Sequence, residues 1–125
     1  MSAGVKKRVL VADDDPAIRS LVARALSQDY EILLAEDGPS ALARLSQDPR
    51  PDLALLDVMM PGFDGFGVVE RLRLVPGRKV PVIFLTARDA PQDIIHGIQL
   101  GARHYIAKPF ALKDLLAKVQ KVLGT

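Results

Sequence analysis

The run Leu53-Ala54-Leu55-Leu56 ends in a single carboxylate, Asp57, and three consecutive aspartates, Asp13-Asp14-Asp15, follow Val9-Leu10-Val11-Ala12. Leu53–Leu56 shows no polar alternation, the pattern of a strand covered on both faces in a parallel sheet. A carboxylate carried on into such a core would be costly. In open α/β sheets, however, the carboxyl ends of the strands open on the crevice where ligands bind. Asp57 therefore stands either where a reactive carboxylate is wanted or simply at the start of a turn. Two further polar groups fall at apolar run ends. Thr86 closes residues 80–86, and Lys108-Pro109 follows residues 103–107.

If these run ends meet, the chemistry is specific. Three carboxylates brought within a few ångströms repel, and a proton is retained unless a cation intervenes. With only oxygen donors available the cation would be hard, and Mg²⁺ fits best, since it takes few carboxylates and keeps waters and phosphate oxygens. The plainer alternative is that Asp13–Asp15 cap a helix and favour its positive end; Asp15 alone would satisfy that role. Thr86 could donate a hydroxyl hydrogen bond, and Lys108 a point charge, to an anion held beside Asp57. A carboxylate nucleophile, a metal and two donors together describe a phosphoryl site, because carboxylates form acyl phosphates. The protein's contribution there would be positioning and charge neutralisation.

The elements that must position these groups alternate five times between strand and helix. Residues 8–12 form the first strand, and Asp15-Pro16 caps and opens a helix. Ile18, Leu21, Val22, Ala25 and Leu26 share one face of that helix. Residues 30–35 form the second strand, and Asp37-Gly38-Pro39 opens a helix with Ala41, Leu42 and Leu45 inward, closed off by Pro49 and Pro51. After the third strand, the turn cluster Pro61-Gly62-Phe63-Asp64-Gly65 lets Asp64 cap a helix carrying Val68, Val69 and Leu72; Pro76-Gly77 ends it. Residues 80–86 make the fourth strand, with Pro81 confined to its start. A fourth helix, residues 91–100, places Ile94, Ile95 and Ile98 inward and stops at Gly101. Residues 103–107 are the fifth strand. The last helix, 111–123, buries Leu112, Leu115, Leu116, Val119 and Leu123. Five such units imply a doubly wound α/β sandwich, a (βα)5 fold with right-handed crossovers and helices on both faces of a parallel sheet. The small-domain strand order 2-1-3-4-5 puts the switch in winding between strands one and three.

Composition narrows the classes. At 125 residues, 49% of them hydrophobic, the chain is expected to be one domain spanning residues 1–125. It has no cysteine, so disulfides and thiolate metal sites are excluded. No apolar run approaches a membrane span, and the start shows neither a signal-peptide core nor a myristoylation glycine. The cytoplasm is the expected compartment. The net charge is only +2, and six aromatics are scattered among the basic residues. Direct nucleic-acid binding and membrane association are therefore not expected.

Four segments, at the ends of strands one, three, four and five, carry a family resemblance. They are Val9–Asp15, Leu55–Gly65, Phe84-Leu85-Thr86-Ala87 and Gly101–Phe110. Together they identify a chain that resembles, over essentially its whole length, the CheY-like receiver domain of a bacterial two-component response regulator. The resemblance implies that Asp57 accepts a phosphoryl group from a sensor histidine kinase or a histidine phosphotransfer protein. It implies Mg²⁺ bound by the side chains of Asp14 and Asp57 and the backbone carbonyl of Met59, with Asp13 acting through water. Lys108 would pair with phosphoryl oxygens, the Lys108–Pro109 bond would be cis, and Gly65 and the small Ala87 would fit the pattern structurally. Thr86 would move to the phosphoryl group and Tyr105 would turn into the space it leaves. That would switch the surface of helix four, strand five and helix five toward a downstream effector. Such a domain catalyses its own phosphorylation and dephosphorylation without being a turnover enzyme.

Some residues depart from the pattern. Arg103 and His104 replace the acidic or small residues of many relatives, and helix four has no lysine, which puts a charged dimer seam through that surface in doubt. Met59 and Arg88 occupy the variable positions beside the site. His96 and His104 read as surface residues. A docking module that is never phosphorylated is one alternative. An Mg²⁺-dependent aspartyl-phosphate phosphatase is another, but its Asp-x-Asp motif continues to a threonine where this chain has Ala17.

Overall fold

The computed structural model describes residues 5–125, so the readings made on the first four residues lie outside the described part. Ten elements alternate along it: β1 (Arg8–Ala12), α1 (Pro16–Leu26), β2 (Glu31–Ala35), α2 (Gly38–Ser46), β3 (Leu53–Leu56), α3 (Gly65–Leu72), β4 (Val82–Thr86), α4 (Pro91–Gln99), β5 (His104–Ala107) and α5 (Leu112–Leu123). The five strands make one parallel sheet in the order β2-β1-β3-β4-β5. This is the order read from the sequence.

Side chains alternate across a strand, and that alternation divides the core in two. Val9, Val11, Leu53, Leu55, Ile83 and Leu85 meet α1 and α5 through Val22, Leu26, Leu115 and Val119. Leu10, Ala54, Leu56 and Phe84 point the other way and meet α2 and α3 through Leu45, Val68 and Leu72. Most of these side chains are fully buried. Each of the larger ones, the valines, leucines, isoleucine and phenylalanine, contributes on the order of 1.5–3 kcal/mol of transfer free energy, so the sheet is anchored from both sides.

Three of the helix starts follow the expected local chemistry. Asp15 accepts from Ala17 N–H at 2.9 Å, and Asp64 from Gly67 N–H at 2.8 Å. Asp37 accepts from Ser40 N–H at 2.7 Å while the Ser40 hydroxyl accepts from Asp37 N–H, a reciprocal capping box. Gly101, at φ 98°, follows α4 where a stop was expected.

Several expectations are corrected. The fourth strand begins at Val82 rather than at residue 80, although the Pro81 carbonyl still accepts from Ala54 N–H. Leu21 is exposed on α1, and Leu112 and Leu116 are only half-buried. The largest difference is on α4: Ile94, Ile95 and Ile98, read as inward, are exposed, while Asp93 and Gly97 are buried. Apolar spacing fixes a stripe but not the side on which the helix is laid down. Here α4 approaches the sheet through Gly97, where an added Cβ would lie 2.7 Å from the Tyr105 ring. The isoleucine stripe is thereby turned outward.

Candidate functional site

Strand register assembles the site. Ala12 pairs with Leu56 and Leu56 with Phe84, while Thr86 pairs with Ala107. The residues just past these pairs therefore share the carboxyl edge: Asp13 after β1, Asp57 after β3 and Lys108 after β5. The ladder continues through them, since Asp57 N–H donates to the Ala12 carbonyl at 2.9 Å and Lys108 N–H to the Thr86 carbonyl at 2.9 Å. The backbone of the strand ends is thus fixed before any side chain acts.

The side chains then close a compact charge cluster. Lys108 Nζ donates to Asp13 Oδ2 at 2.8 Å and to Asp57 Oδ2 at 2.9 Å. Both aspartates are buried and the lysine nearly so; their side chains keep 3%, 5% and 16% of their accessible surface. The other oxygens are held by backbone: Asp15 N–H donates to Asp13 Oδ1 at 2.9 Å and Met59 N–H to Asp57 Oδ1 at 3.0 Å. Asp14 is exposed, and its carboxylate accepts no hydrogen bond among the described residues. One oxygen from each of Asp13, Asp14 and Asp57 lies within 4.8 Å of the others.

This cluster is short of positive charge. Burial pushes the Asp13 carboxyl above its ordinary range, and the Lys108 ammonium and Asp15 N–H offset that only in part. For Lys108, burial favours the neutral amine, but hydrogen bonds to Asp13 and Asp57 outweigh it and hold the proton more firmly than usual. Three carboxylates facing one ammonium leave a net negative, oxygen-only donor set. The chemistry of that set fits a hard divalent cation, and Asp14 is the member of the set not already engaged by hydrogen bonds among the described residues.

The segment after β3 is shaped by a close approach. A Cβ at Gly65 would lie 2.4 Å from the Asp57 carbonyl oxygen, so only glycine lets α3 begin against the site. Gly65 N–H donates to the Val58 carbonyl at 2.8 Å across the same approach. Met59 is exposed, and its carbonyl accepts no hydrogen bond among the described residues. The Lys108–Pro109 bond is cis, and so is Asp48–Pro49.

Thr86 is fully buried at the end of β4, but its hydroxyl accepts from Arg88 N–H at 3.2 Å instead of reaching the acidic cluster. Tyr105 packs its ring on Phe84, 5.8 Å between centroids, and donates its hydroxyl to the Arg88 carbonyl at 2.5 Å. Both residues are therefore tied to the backbone of one residue, with the exposed Ala87 between it and Thr86. Arg88 is itself held by Asp93, its Nη2 lying 2.9 Å from Oδ1, and lies 3.9 Å from Asp64. Sequence reading missed Asp93, which shows only as an acid in the first turn of α4, five residues past a cation.

Burial, reinforced by Asp93 and opposed by Arg88, pushes the Tyr105 phenol up to about 12. The unfolded phenol ionises near 10, so between pH 10 and 12 the unfolded chain holds fewer protons and stability falls as pH rises. Tyrosinate absorbance should thus show a step near pH 12 that is lost in Tyr105→Phe. The variant should also keep its melting temperature better than wild type through that window. A single transition unchanged by the substitution would contradict the packing.

The model of the response regulator receiver domain family matches residues 9–120. The chain belongs to that family. It is the receiver domain of a two-component response regulator. "Response regulator MprA" of Mycolicibacterium vanbaalenii is 45% identical over 117 residues, covering 93% of this chain and 50% of that protein. The Mycobacterium leprae protein of the same name is 44% identical over the same coverage. The receiver chain thus spans about half the length of the curated relatives it matches. Among solved structures, a CheY-like response regulator receiver domain protein from Methanospirillum hungatei has a TM-score of 0.85 at 30% identity, covering 95% of this chain and 94% of that one. A BeF3-activated DrrB receiver domain gives 0.86 at 26% identity, covering 97% and 100%. No helix among the described residues of this receiver is long and apolar enough to cross a membrane.

Proposed function

We propose that Asp57 of this receiver accepts a phosphoryl group from a phosphohistidine on a sensor histidine kinase or histidine phosphotransfer protein. An Asp57 oxygen attacks phosphorus, the phosphorus–nitrogen bond breaks, and the imidazole leaves with its electron pair. Water later attacks phosphorus, releasing inorganic phosphate and restoring the carboxylate. The domain is not a turnover enzyme; it carries the phosphoryl group and loses it. The observation that supports this reading above others is the ammonium of Lys108 bridging buried Asp13 and Asp57, a cation already in place beside the proposed acceptor.

Mg²⁺ would be held by Asp14, Asp57 and the Met59 carbonyl, with Asp13 acting through water, and would neutralise charge on the phosphoryl oxygens. Lys108 would turn from Asp57 Oδ2 to a phosphoryl oxygen. Thr86 would release Arg88 N–H to donate its hydroxyl to the phosphoryl group. Tyr105 would then give up the Arg88 carbonyl and turn inward. Because both are tied to Arg88, the two movements would be coupled through one short loop, and the surface of α4, β5 and α5 would change for a downstream effector.

Beryllofluoride with Mg²⁺ tests this reading, following the form in which the DrrB receiver was solved. At a hundredfold excess over its dissociation constant the complex should stabilise the fold by about 2.7 kcal/mol. Amide resonances of Thr86, Arg88 and Tyr105 should shift with it. Both effects should vanish when the metal is chelated and in Asp57→Asn. Stabilisation that persists in Asp57→Asn would move the site elsewhere.

A further inference from the structure

On the amino edge of the sheet, away from Asp57, the ends of α3 and α4 and the loop leading into β4 enclose a cleft of about 380 Å³. Its wall includes Leu72, Val80 and Leu100, and its charged lining is Arg50, Arg73 and Lys79 with no aspartate or glutamate. Arg50 is 5% exposed, yet no carboxylate pairs with it among the described residues. Its Nη1 donates to the Arg78 carbonyl at 2.8 Å, and its Nη2 to the Val75 and Pro76 carbonyls at 3.2 and 2.8 Å. Its Nε is buried without a partner. A Cβ at Gly77, φ 145°, would come within 2.6 Å of Arg50 Cζ, so the loop backbone lies directly against the guanidinium. The nearby acid, Asp52, is engaged elsewhere, with Arg78 at 3.4 Å and Arg8 N–H at 2.8 Å.

A buried guanidinium satisfied only by carbonyls keeps its full charge uncompensated, which proteins avoid unless a counter-charge arrives. Two exposed cations, Arg73 and Lys79, stand at the same cleft. The volume lies in the range of small-ligand pockets, which pair apolar walls with a few polar groups. We propose that this cleft binds a small organic anion, an apolar body carrying one carboxylate or phosphate head group. The head would sit in the field of Arg50, Arg73 and Lys79, and the body against Leu72, Val80 and Leu100. The inference is independent of the reading of Asp57.

The test is an amide NMR titration of the full chain with naphthoate, naphthyl phosphate and uncharged naphthol. Both anions should give saturable shifts centred on Leu72, Val75, Gly77 and Gly101, and the preferred anion identifies the head group. Naphthol should bind at least about tenfold more weakly, as should the anions to an Arg73→Glu, Lys79→Glu double variant. Arg73 Nη2 also donates to the Leu100 carbonyl at 2.6 Å, whereas the exposed Lys79 makes no side-chain hydrogen bond among the described residues. The single variant Lys79→Glu should therefore keep the wild-type spectrum elsewhere and still weaken both anions, and Asp57→Asn should titrate like wild type. Equal affinity for naphthol, unchanged affinity in the double variant, or shifts centred on another surface would each overturn the proposal.

Discussion

Replacing Asp14 with asparagine is expected to weaken Mg²⁺ binding by on the order of a hundredfold while leaving the fold intact. Asp13 and Asp57 already accept from Lys108 and from backbone amides, whereas Asp14 is exposed and accepts no hydrogen bond among the described residues. Its carboxylate is therefore the charge least committed to the protein itself. Removing it takes the cluster from three carboxylates facing one ammonium to two, halving the net negative charge that draws a divalent ion. Loss of groups that merely orient ligands typically costs 10–100-fold in affinity, and a direct carboxylate should reach the upper end, about 2.7 kcal/mol. Calorimetric titration of wild type and variant with Mg²⁺ reads this directly. A change smaller than about threefold would show that the ion sits elsewhere.

Replacing Lys108 with methionine is expected to do three things at once. Without metal it removes the cation that holds two buried carboxylates, and breaking such a pair costs about 3–5 kcal/mol. The lower part of that range applies, since the amine keeps some contact with solvent and the acids can retain a proton. Adding Mg²⁺ should recover most of the loss and should bind the variant more tightly than wild type, because no ammonium then competes for Asp13 and Asp57. Phosphoryl transfer from a small donor should nonetheless slow by on the order of 100–1,000-fold, the usual effect of removing one preorganised donor to a developing oxyanion. Thermal melts with and without Mg²⁺, beside a time course of adduct formation, separate the three. Slower transfer with unchanged metal-free stability would mean that the ion pair seen here does not hold in solution.

The strands and the carboxyl edge were legible because their signals are local and redundant. Leu53–Leu56 is apolar throughout and ends in Asp57; Asp15, Asp37 and Asp64 each precede a helix and cap it. Parallel register then brings Asp13, Asp57 and Lys108 together with no further information. What stayed hidden depends on tertiary choices. The stripe Ile94, Ile95 and Ile98 is equally apolar whichever way it faces, and it faces out because Gly97 admits the Tyr105 ring on the opposite side. The tether of Thr86 and Tyr105 to Arg88 uses backbone groups, which no side-chain pattern reports. Arg50 stands between two prolines, and nothing in its neighbours' types reports that it is buried among carbonyls of a loop more than twenty residues away.

On the proposed function, Asp57 becomes an acyl phosphate in a metal-dependent reaction. Its most direct test is intact-mass analysis after incubation with Mg²⁺ and acetyl phosphate, repeated with the metal chelated and with Asp57→Asn. The expected result is a single phosphoryl adduct that hydroxylamine removes and that neither control forms. An adduct of the same mass on Asp57→Asn, or one formed equally well without metal, would contradict it.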